Sequence, residues 1–395
     1  MRILFLTSRI PYPPYRGDKL RAWNLIKYLG TRHEITLLSF IQDRSEISFV
    51  SALQPYCARV EVVYLPSWRS VFNCLVGIFT SLPLQVSYFR SKRMSRALES
   101  LLQEVNPDII HTHLIRMAQY THSLDNNGHV LDLTDAISLY LRRLRDGSKN
   151  RLVRLAAHFE LSRMVEYERL IPEYDRAVVC SPIDRQFLLQ HIPEARIDLV
   201  PNGIDLDFFS IEGDLQPDPY RIVFAGNMSY FPNTDGAVFL IEEIFPHIKK
   251  SVPEAKIYIV GQNPPRRIKA LAREDVVVTG FVSDIRSAYL RGSVAVSPIR
   301  FGAGTPNKVL EPLALGIPVV STAIGVEGLD LQAGKEIFIA SSPEEFAGHV
   351  IRLLTDSELR KEVGRAARSA VMKQYDIKTT AQELERIYIQ ISQQT

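Results

Sequence analysis

The stretch SPIRFGAGTPNKVLEPLALGIPVV, Ser297 to Val320, decides how the second half of the chain folds. A β-branched strand over Val294–Pro298 runs into a loop that carries Gly302 and Gly304. Pro306 then stands at the start of a helix over Asn307–Leu315. Proline is at home there, because the N–H it lacks has no partner in a first turn anyway. Gly316 and Pro318 stop the helix, and Pro318–Ser321 reads as the next strand. A helix N-terminus with unbonded N–H groups and the positive end of its dipole favours an anion. The N–H groups of Thr305, Asn307 and Lys308 face that position, and Lys308 adds a charge. Glu311, one turn on, can accept hydrogen bonds from two hydroxyls of a ribose. A diphosphate-bearing nucleotide fits this chemistry. Spacing alone leaves an ordinary strand–glycine turn–helix equally open, because such loops recur widely.

Outward from this stretch the same alternation continues. Strands are expected at Arg221–Ala225, Ala255–Val260 and Asp275–Thr279, with helices at Asp235–Lys250, Pro264–Ala272, Ile285–Arg291, Pro343–Leu354 and Lys378–Ser392. The first half repeats the scheme. Strands are expected at Ile3–Thr7, Glu34–Ser39, Arg59–Leu65, Asp108–Thr112, His129–Leu133 and Arg176–Cys180, with helices at Lys19–Leu29, Ser91–Val105 and Leu152–Ile171. Short strands alternating with helices imply parallel sheets covered on both faces. The Pro-, Asp- and Gly-rich segment Ile211–Tyr220 reads as a linker. The chain has 395 residues, and a single core rarely grows beyond roughly 250–300, so two domains are expected. An α/β architecture of two doubly wound Rossmann-like domains facing across a cleft follows, with ligands at the carboxyl ends of the strands.

Composition excludes several classes. Hydrophobic residues make up 46% and charged residues 23%, ordinary for a globular protein. A net charge of +3 gives no argument for nucleic acid. The three cysteines, Cys57, Cys74 and Cys180, lack metal-binding spacing and suit a reducing cytoplasm. The N-terminus does not read as a signal peptide. The longest apolar run, Val71–Leu84, is too short and too broken to span a bilayer.

Six ordered segments resemble one family. Besides Ser297–Val320 they are Val200–Asp205 (VPNGID), Phe224–Asn227 (FAGN), Val260–Gly261, Val278–Asp284 (VTGFVSD) and Gly325–Leu329 (GVEGL). Together they are similar to glycosyltransferase family 4 (group 1), a retaining family with the GT-B fold, over nearly the whole chain. Arg16–Lys19 and Leu131–Ser138 (LDLTDAIS) resemble the sugar transferases that accompany exopolysaccharide and exosortase systems. The resemblance implies an acceptor-side domain over 1–208, a nucleotide-sugar domain over 209–375 and a terminal helix over 376–395 that packs back on the first. It implies a donor site of Gly17, Gly226, Asn227, Phe281, Val282, Arg300, Gly304, Thr305, Pro306, Asn307, Lys308 and Glu311. Asp135, Lys308 and His113 are the candidates for catalysis. Transfer with retention to a glycan or lipid-linked acceptor is implied, without a metal or other cofactor and with no nucleic acid. Pro312 and Leu313 depart from the family pattern. So do Ala303 where many members carry a second glutamate, Asn227 where an arginine is usual, and Thr134–Asp135 where many have a histidine. Lys308, Arg300 and backbone N–H groups are the expected substitutes for the phosphate clamp.

Other residues carry two readings each. Gly17 closes the proline-rich loop Ser8–Arg16 and lets backbone approach a ligand. Asp18 reads as a helix N-cap or as part of the site, and Lys19 and Arg21 as site cations or solvated charges. His111 and His113 share a strand face, which suits a polar strand end better than a zinc site lacking a third ligand. Asp135, like Asp132 nearby, is either a general base or, for Asp135, the cap of the next helix. Asn202, Gly203 and Asp205 read first as a turn. The apolar segment Trp68–Phe89, with basic runs Arg90–Arg96 and Arg142–Arg154, is either core or a monotopic contact with an anionic inner leaflet. A nucleotide-sugar 2-epimerase of the same fold and a catalytically silent binding member are the rival functions. A hydride-transferring enzyme is disfavoured, because no GxGxxG follows the first strand.

Overall fold

A computed structural model describes residues 1–124, 128–148, 150–210, 217–302 and 306–393. The expected linker Ile211–Tyr220 lies largely outside these residues, as do Ala303, Gly304, Thr305 and Lys149. The chain divides into two units, Met1–Gly203 with Ile377–Thr395, and Ile204–Asp376.

The first unit holds a seven-stranded sheet in the order β3-β2-β1-β4-β5-β6-β7. Its strands are β1 Arg2–Thr7, β2 Glu34–Ile41, β3 Arg59–Tyr64, β4 Ile109–His113, β5 Gly128–Thr134, β6 Arg176–Val179 and β7 Ile197–Leu199. Every pairing is parallel, and β1 pairs with both β2 and β4. The strands read as continuous apolar runs because helices bury both faces. One core packs Ile3, Phe5 and Ile35 against Leu25 and Ile26 of the helix Gly17–Leu29 and against Leu384 and Tyr388 of the helix Ile377–Ser392. The terminal helix is thus part of this unit's core, and its Glu385 bonds His33 at 2.7 Å.

The second unit holds six parallel strands in the order β10-β9-β8-β11-β12-β13. They are β8 Arg221–Ala225, β9 Lys256–Val260, β10 Val276–Gly280, β11 Val294–Ser297, β12 Val319–Thr322 and β13 Phe338–Ala340. In each sheet the order reverses once, between β1 and β4 and between β8 and β11. Doubly wound sheets bind ligands beyond the strand ends at such a reversal.

The short strands β7 and β13 and the helix Ser357–Gln374 escape the sequence reading. Three-residue strands carry too little periodicity to register. The helix buries mainly small residues such as Gly364, Ala367 and Ala370, so its apolar stripe is faint. The single expected helix Asp235–Lys250 is three pieces: Phe231–Phe239, a π-turn over Leu240–Ile244 and Phe245–Ser251.

The segment Trp68–Phe89 is core only toward its end, where Val86 and Phe89 are buried. In the helix Ser67–Gly77 and the turn beyond it, Trp68 is 72% exposed and Phe79 90% exposed, and Val71, Phe72, Leu75 and Ile78 also face solvent. The helix Arg151–Glu168 lies alongside. Its Arg163 donates to the carbonyls of Gly77 and Ile78 at 2.9 and 2.7 Å, and it exposes Leu152 and Leu155. Both helices therefore expose apolar side chains to solvent. No helix among the described residues is long and apolar enough to cross a membrane.

Candidate active site

In the first unit the β1/β4 reversal gathers charge. Arg21 of the helix Gly17–Leu29 is 4% exposed and donates through Nε to Asp132 Oδ2 at 2.7 Å, near the end of β5. Its Nη1 reaches the Val200 carbonyl at 3.1 Å and Asn202 Oδ1 at 3.0 Å. Burial opposes both charges, yet the pair prevails: Arg21 is pushed up and Asp132 held well below the usual carboxylate range. So Arg21 is a buried partner of Asp132, not a solvated charge. Asn202 is more than a turn residue, since it closes the same network.

Both histidines of β4 point at Asp132, as their two-residue spacing requires. His111 Nε2 lies 3.6 Å and His113 Nδ1 3.4 Å from Asp132 Oδ2. His111 stacks on Phe5 with centroids 4.0 Å apart and bonds Tyr388 Oη at 2.7 Å, and burial lowers its pKa to about 4. A neutral His111 accepts from Tyr388 through Nδ1, and its Nε2–H faces Asp132 beyond hydrogen-bond distance. His113 is 2% exposed, and its Nε2–H donates to the Asp18 carbonyl at 3.0 Å. Ligand atoms of His111, His113 and Asp132 all lie within 4.8 Å of one another. That spacing resembles a metal site, but the Arg21 guanidinium already neutralises the shared carboxylate oxygen and would repel a cation.

Backbone strain marks the same edge. Leu114, just after β4, has φ +74° and Thr134, the last residue of β5, has φ +65°. Neither residue type favours this region, and such strain concentrates at functional sites. Asp132 Oδ1 accepts the Thr134 N–H at 3.0 Å and holds the bend. Asp135 follows it. It caps nothing: the N–H groups opening the helix Ile137–Gly147 go to Asp184 and Glu168, at 3.1 Å each. Burial, reinforced by Asp184, raises Asp135 well above the usual range. In the neutral form that this favours, its carboxyl is a hydrogen-bond partner for a hydroxyl, and it accepts a proton only once ionised. Asp18 is no N-cap either. Arg16 holds the cap position without a side-chain bond, and Asp18 pairs with Arg9 at 3.1 Å and Arg16 at 3.2 Å.

In the second unit the β8/β11 reversal is built on close backbone contact. Gly261 has φ +148°, and a Cβ there would lie 1.8 Å from the Gly226 carbonyl. Only glycine lets the ends of β8 and β9 approach this way. Gly226 packs on Asn233, whose Nδ2 donates to the Asn227 carbonyl at 2.9 Å. Asn233 Oδ1 in turn accepts from Lys308 Nζ. Lys308 and Glu311 stand on the helix Asn307–Ala314, with Pro306 at its N-cap. Tyr289, fully buried, donates to Glu311 Oε2 at 3.2 Å. Burial raises Glu311 to about 7 and lowers Lys308 to about 8, each moderated by the other. Asn307 Oδ1 is buried with no hydrogen-bond partner among the described residues. Pro312 cannot donate, so the Lys308 carbonyl lacks its usual helical partner.

Both halves of the chain match known proteins. Residues 19–208 match the profile of Glycosyltransferase Family 4, and residues 219–356 that of Glycosyl transferases group 1. The chain belongs to this glycosyltransferase family. The transferase is 24% identical to an uncharacterized 44.6 kDa protein in the cps region of Klebsiella pneumoniae, over 95% of this chain and 97% of that one. Among solved structures it resembles sucrose-phosphate synthase from Thermosynechococcus elongatus (TM-score 0.75, 17% identity, 100% of both chains). It also resembles HepE of Anabaena, solved with UDP and glucose (TM-score 0.69, 14% identity, 98% and 99% of the two chains). These likenesses are of fold, and the transferase has the GT-B architecture.

The expected donor residues of the transferase fall into groups. Asn227 and Lys308 both bond Asn233, on which Gly226 packs, while Glu311 on the same helix as Lys308 bonds Tyr289 separately; Pro306 and Asn307 open that helix. Arg300 stands apart from these contacts. Its Nε and Nη2 grip Asp235 at 2.9 and 2.7 Å, so its charge is already met. Phe281 is 52% exposed beyond β10, whereas Val282 packs onto the unit's core. Gly17 opens the first helix, and a Cβ there would meet nothing within 4 Å. Gly304 and Thr305 lie outside the described residues. The sequence reading missed Asn233 and Tyr289, both within expected helical segments or beside them, because nothing local marks their contacts.

Proposed function

We propose that the transferase takes a nucleotide-diphosphate sugar as donor and passes the sugar, with retention, to a glycan or lipid-linked acceptor in surface-polysaccharide synthesis. The observation that carries this is that Lys308, bonded to Asn233, and Glu311, bonded to Tyr289, stand one turn apart on the helix at the β8/β11 reversal. Glu311 has the acceptor oxygens a ribose diol needs. Lys308 and the first-turn N–H groups supply positive charge for a diphosphate, and they stabilise it as it leaves. HepE, solved with UDP and glucose, supports a nucleotide-sugar donor, and the cps-region relative supports the polysaccharide context. In the first unit the Asp135 carboxyl orients the acceptor hydroxyl, and takes its proton only in a complex whose cations hold it ionised. His113 is buried on the Asp18 carbonyl and positions that loop. No metal is needed in this scheme, because cations and N–H dipoles meet the leaving group.

Purified protein incubated with UDP-, GDP- and ADP-sugars and a lipid-linked acceptor tests the reading. One base class is expected to be consumed only with acceptor, giving a product whose anomeric proton coupling matches the donor's configuration. Turnover of donor alone points to the epimerase. Tight binding without any turnover points to the silent member.

The exposed apolar side chains of the helices Ser67–Gly77 and Arg151–Glu168 favour a lipid-linked acceptor. No acidic residue stands between Ser67 and Leu98, whereas Arg69, Arg90, Lys92, Arg93 and Arg96 do. Apolar side chains beside cations suit an anionic bilayer surface. Flotation with anionic liposomes is expected to recover the wild type at low ionic strength, and to recover a Phe72→Ser/Phe79→Ser variant far less. Equal flotation of the two, or none at all, removes this contact.

A further inference from the structure

In the second unit the two loops at the β8/β11 reversal bring aromatic rings together. Tyr230 and Phe231 follow β8, at the start of the helix Phe231–Phe239, and Phe301 follows β11. The Phe231 and Phe301 ring centroids lie 5.8 Å apart, with the planes at 36°. The loops are clamped to each other. Arg300 holds Asp235 in its fork, and a Cβ at Gly236 would lie 2.9 Å from the Pro298 carbonyl. Phe301 is nearly buried, whereas Tyr230 and Phe231 are 45% and 38% exposed. Two aromatic side chains thus remain open to solvent at a strand-order reversal, where such sheets bind ligands. The polar groups around them are uncharged. Ser229 donates through N and Oγ to Asn227 Oδ1 at 3.1 and 2.7 Å, and Thr234 Oγ1 donates to the Met228 carbonyl at 2.6 Å. Asp235 is the carboxylate of the stretch Gly226–Leu240, and Arg300 neutralises it.

The same turn is bonded to the helix Asn307–Ala314. The Tyr230 N–H donates to the Asn227 carbonyl at 3.1 Å, and the Tyr230 carbonyl accepts the Asn233 N–H at 3.0 Å. Asn233 Oδ1 in turn accepts from Lys308 Nζ. On the donor reading above, on which this inference rests, ribose is at Glu311 and the diphosphate at Lys308. The sugar is the next unit of that molecule, and the turn bonded to Lys308 carries Tyr230 and Phe231. We propose that Tyr230 and Phe231, with Phe301, form the platform for the donor's sugar and select a neutral sugar bearing a methyl group, of the 6-deoxy or N-acetylamino class, over a uronate. A pyranose face is a row of C–H bonds, whose positive ends suit the negative face of an aromatic ring. Aromatic walls with a few uncharged polar groups make this kind of site, and a methyl group gains further from apolar burial. A uronate carboxylate finds the cations of these elements taken, Arg300 by Asp235 and Lys308 by the diphosphate.

Calorimetry on the full-length protein tests this with two series of probes: UDP, UDP-glucose, UDP-N-acetylglucosamine and UDP-glucuronate, and GDP, GDP-mannose and GDP-fucose. The variants are Tyr230→Ser and Phe231→Ser. In one of the two series the methyl-bearing sugar is expected to bind about 10-fold more tightly than its hydroxylated counterpart, the size of one stacked ring with a buried methyl. Each variant is expected to lose that preference while titrating free UDP or GDP as the wild type does, which also shows that the unit remains folded. Variants that keep the preference overturn the platform. So do variants that lose free nucleotide in parallel with the sugar nucleotides, because the rings are then structural. Glucuronate bound as tightly as N-acetylglucosamine overturns the sugar class. In all three cases the wild type still binds nucleotide, so the donor reading stands. A wild type that binds no member of either series overturns both.

Discussion

Glu311→Ala is expected to weaken nucleotide-sugar binding about 100-fold, a loss of about 3 kcal/mol for two hydrogen bonds to a charged acceptor. The first unit and the parallel sheet of the second should stay folded, because Glu311 belongs to neither sheet and its side chain bonds Tyr289. The effect has a pH signature. Burial raises the Glu311 carboxyl to about 7 and lowers Lys308 to about 8. Donor binding needs the carboxylate, so affinity is expected to climb between about pH 6 and 7.5 with release of a proton. It then declines above about 8 as Lys308 loses its charge. Stability runs the other way. The raised Glu311 pKa contributes stability that is present below its unfolded value and lost as pH rises through about 7. The lowered Lys308 pKa contributes stability present above its unfolded value and lost as pH falls through about 8. Near neutrality both groups therefore strain the empty protein. Glu311→Gln is expected to raise the melting temperature at about pH 8, to leave it nearly unchanged at about pH 4, and to abolish the acid limb of donor binding. Calorimetric titration at several pH values checks this, and a Glu311→Ala protein that titrates donor like the wild type removes Glu311 from the site.

Arg21→Met is expected to destabilise the first unit by about 3–5 kcal/mol, because it strands Asp132 as an uncompensated buried charge. For a unit of this size that lowers the melting temperature by roughly 10 °C. Arg21 also loses its bonds to the Val200 carbonyl and Asn202, which tie the first helix to the segment leaving β7. Replacing both partners, Arg21→Met with Asp132→Leu, is expected to recover most of the loss, since no charge is then left unpaired. Asp132→Asn alone should resemble Arg21→Met. A double variant no more stable than either single one would show that the stranded charge is not what destabilises the single variants. Thermal denaturation of the four proteins provides the cycle.

Much of the architecture was legible. Strands β1 to β6 and β8 to β12 appear within a residue or two of their sequence positions, because alternation, glycine and proline act locally. Lys308 and Glu311 were legible for the same reason: three residues apart on a helix, they share a face. The partners of the charged groups were not. Arg300 looked like a phosphate ligand until the fold placed Asp235, 65 positions away, in its fork. Asp18 and Asp135 looked like caps until Arg9 and Arg16 claimed one and Asp184 and Glu168 took over the work of the other.

The linear order of residues determined the kind of protein this is, two parallel α/β sheets with an anion-ready helix at Asn307. Helix and strand periods, and the turns that end them, are settled within a few residues of chain. Tertiary structure alone decided which charges remain to act. Arg21 meets Asp132 across 111 positions, and Arg9 meets Arg116 over one phenyl ring, only because β1 pairs with β4. Burial and ion pairing depend on such distant neighbours, and the strand order that supplies them leaves no local trace.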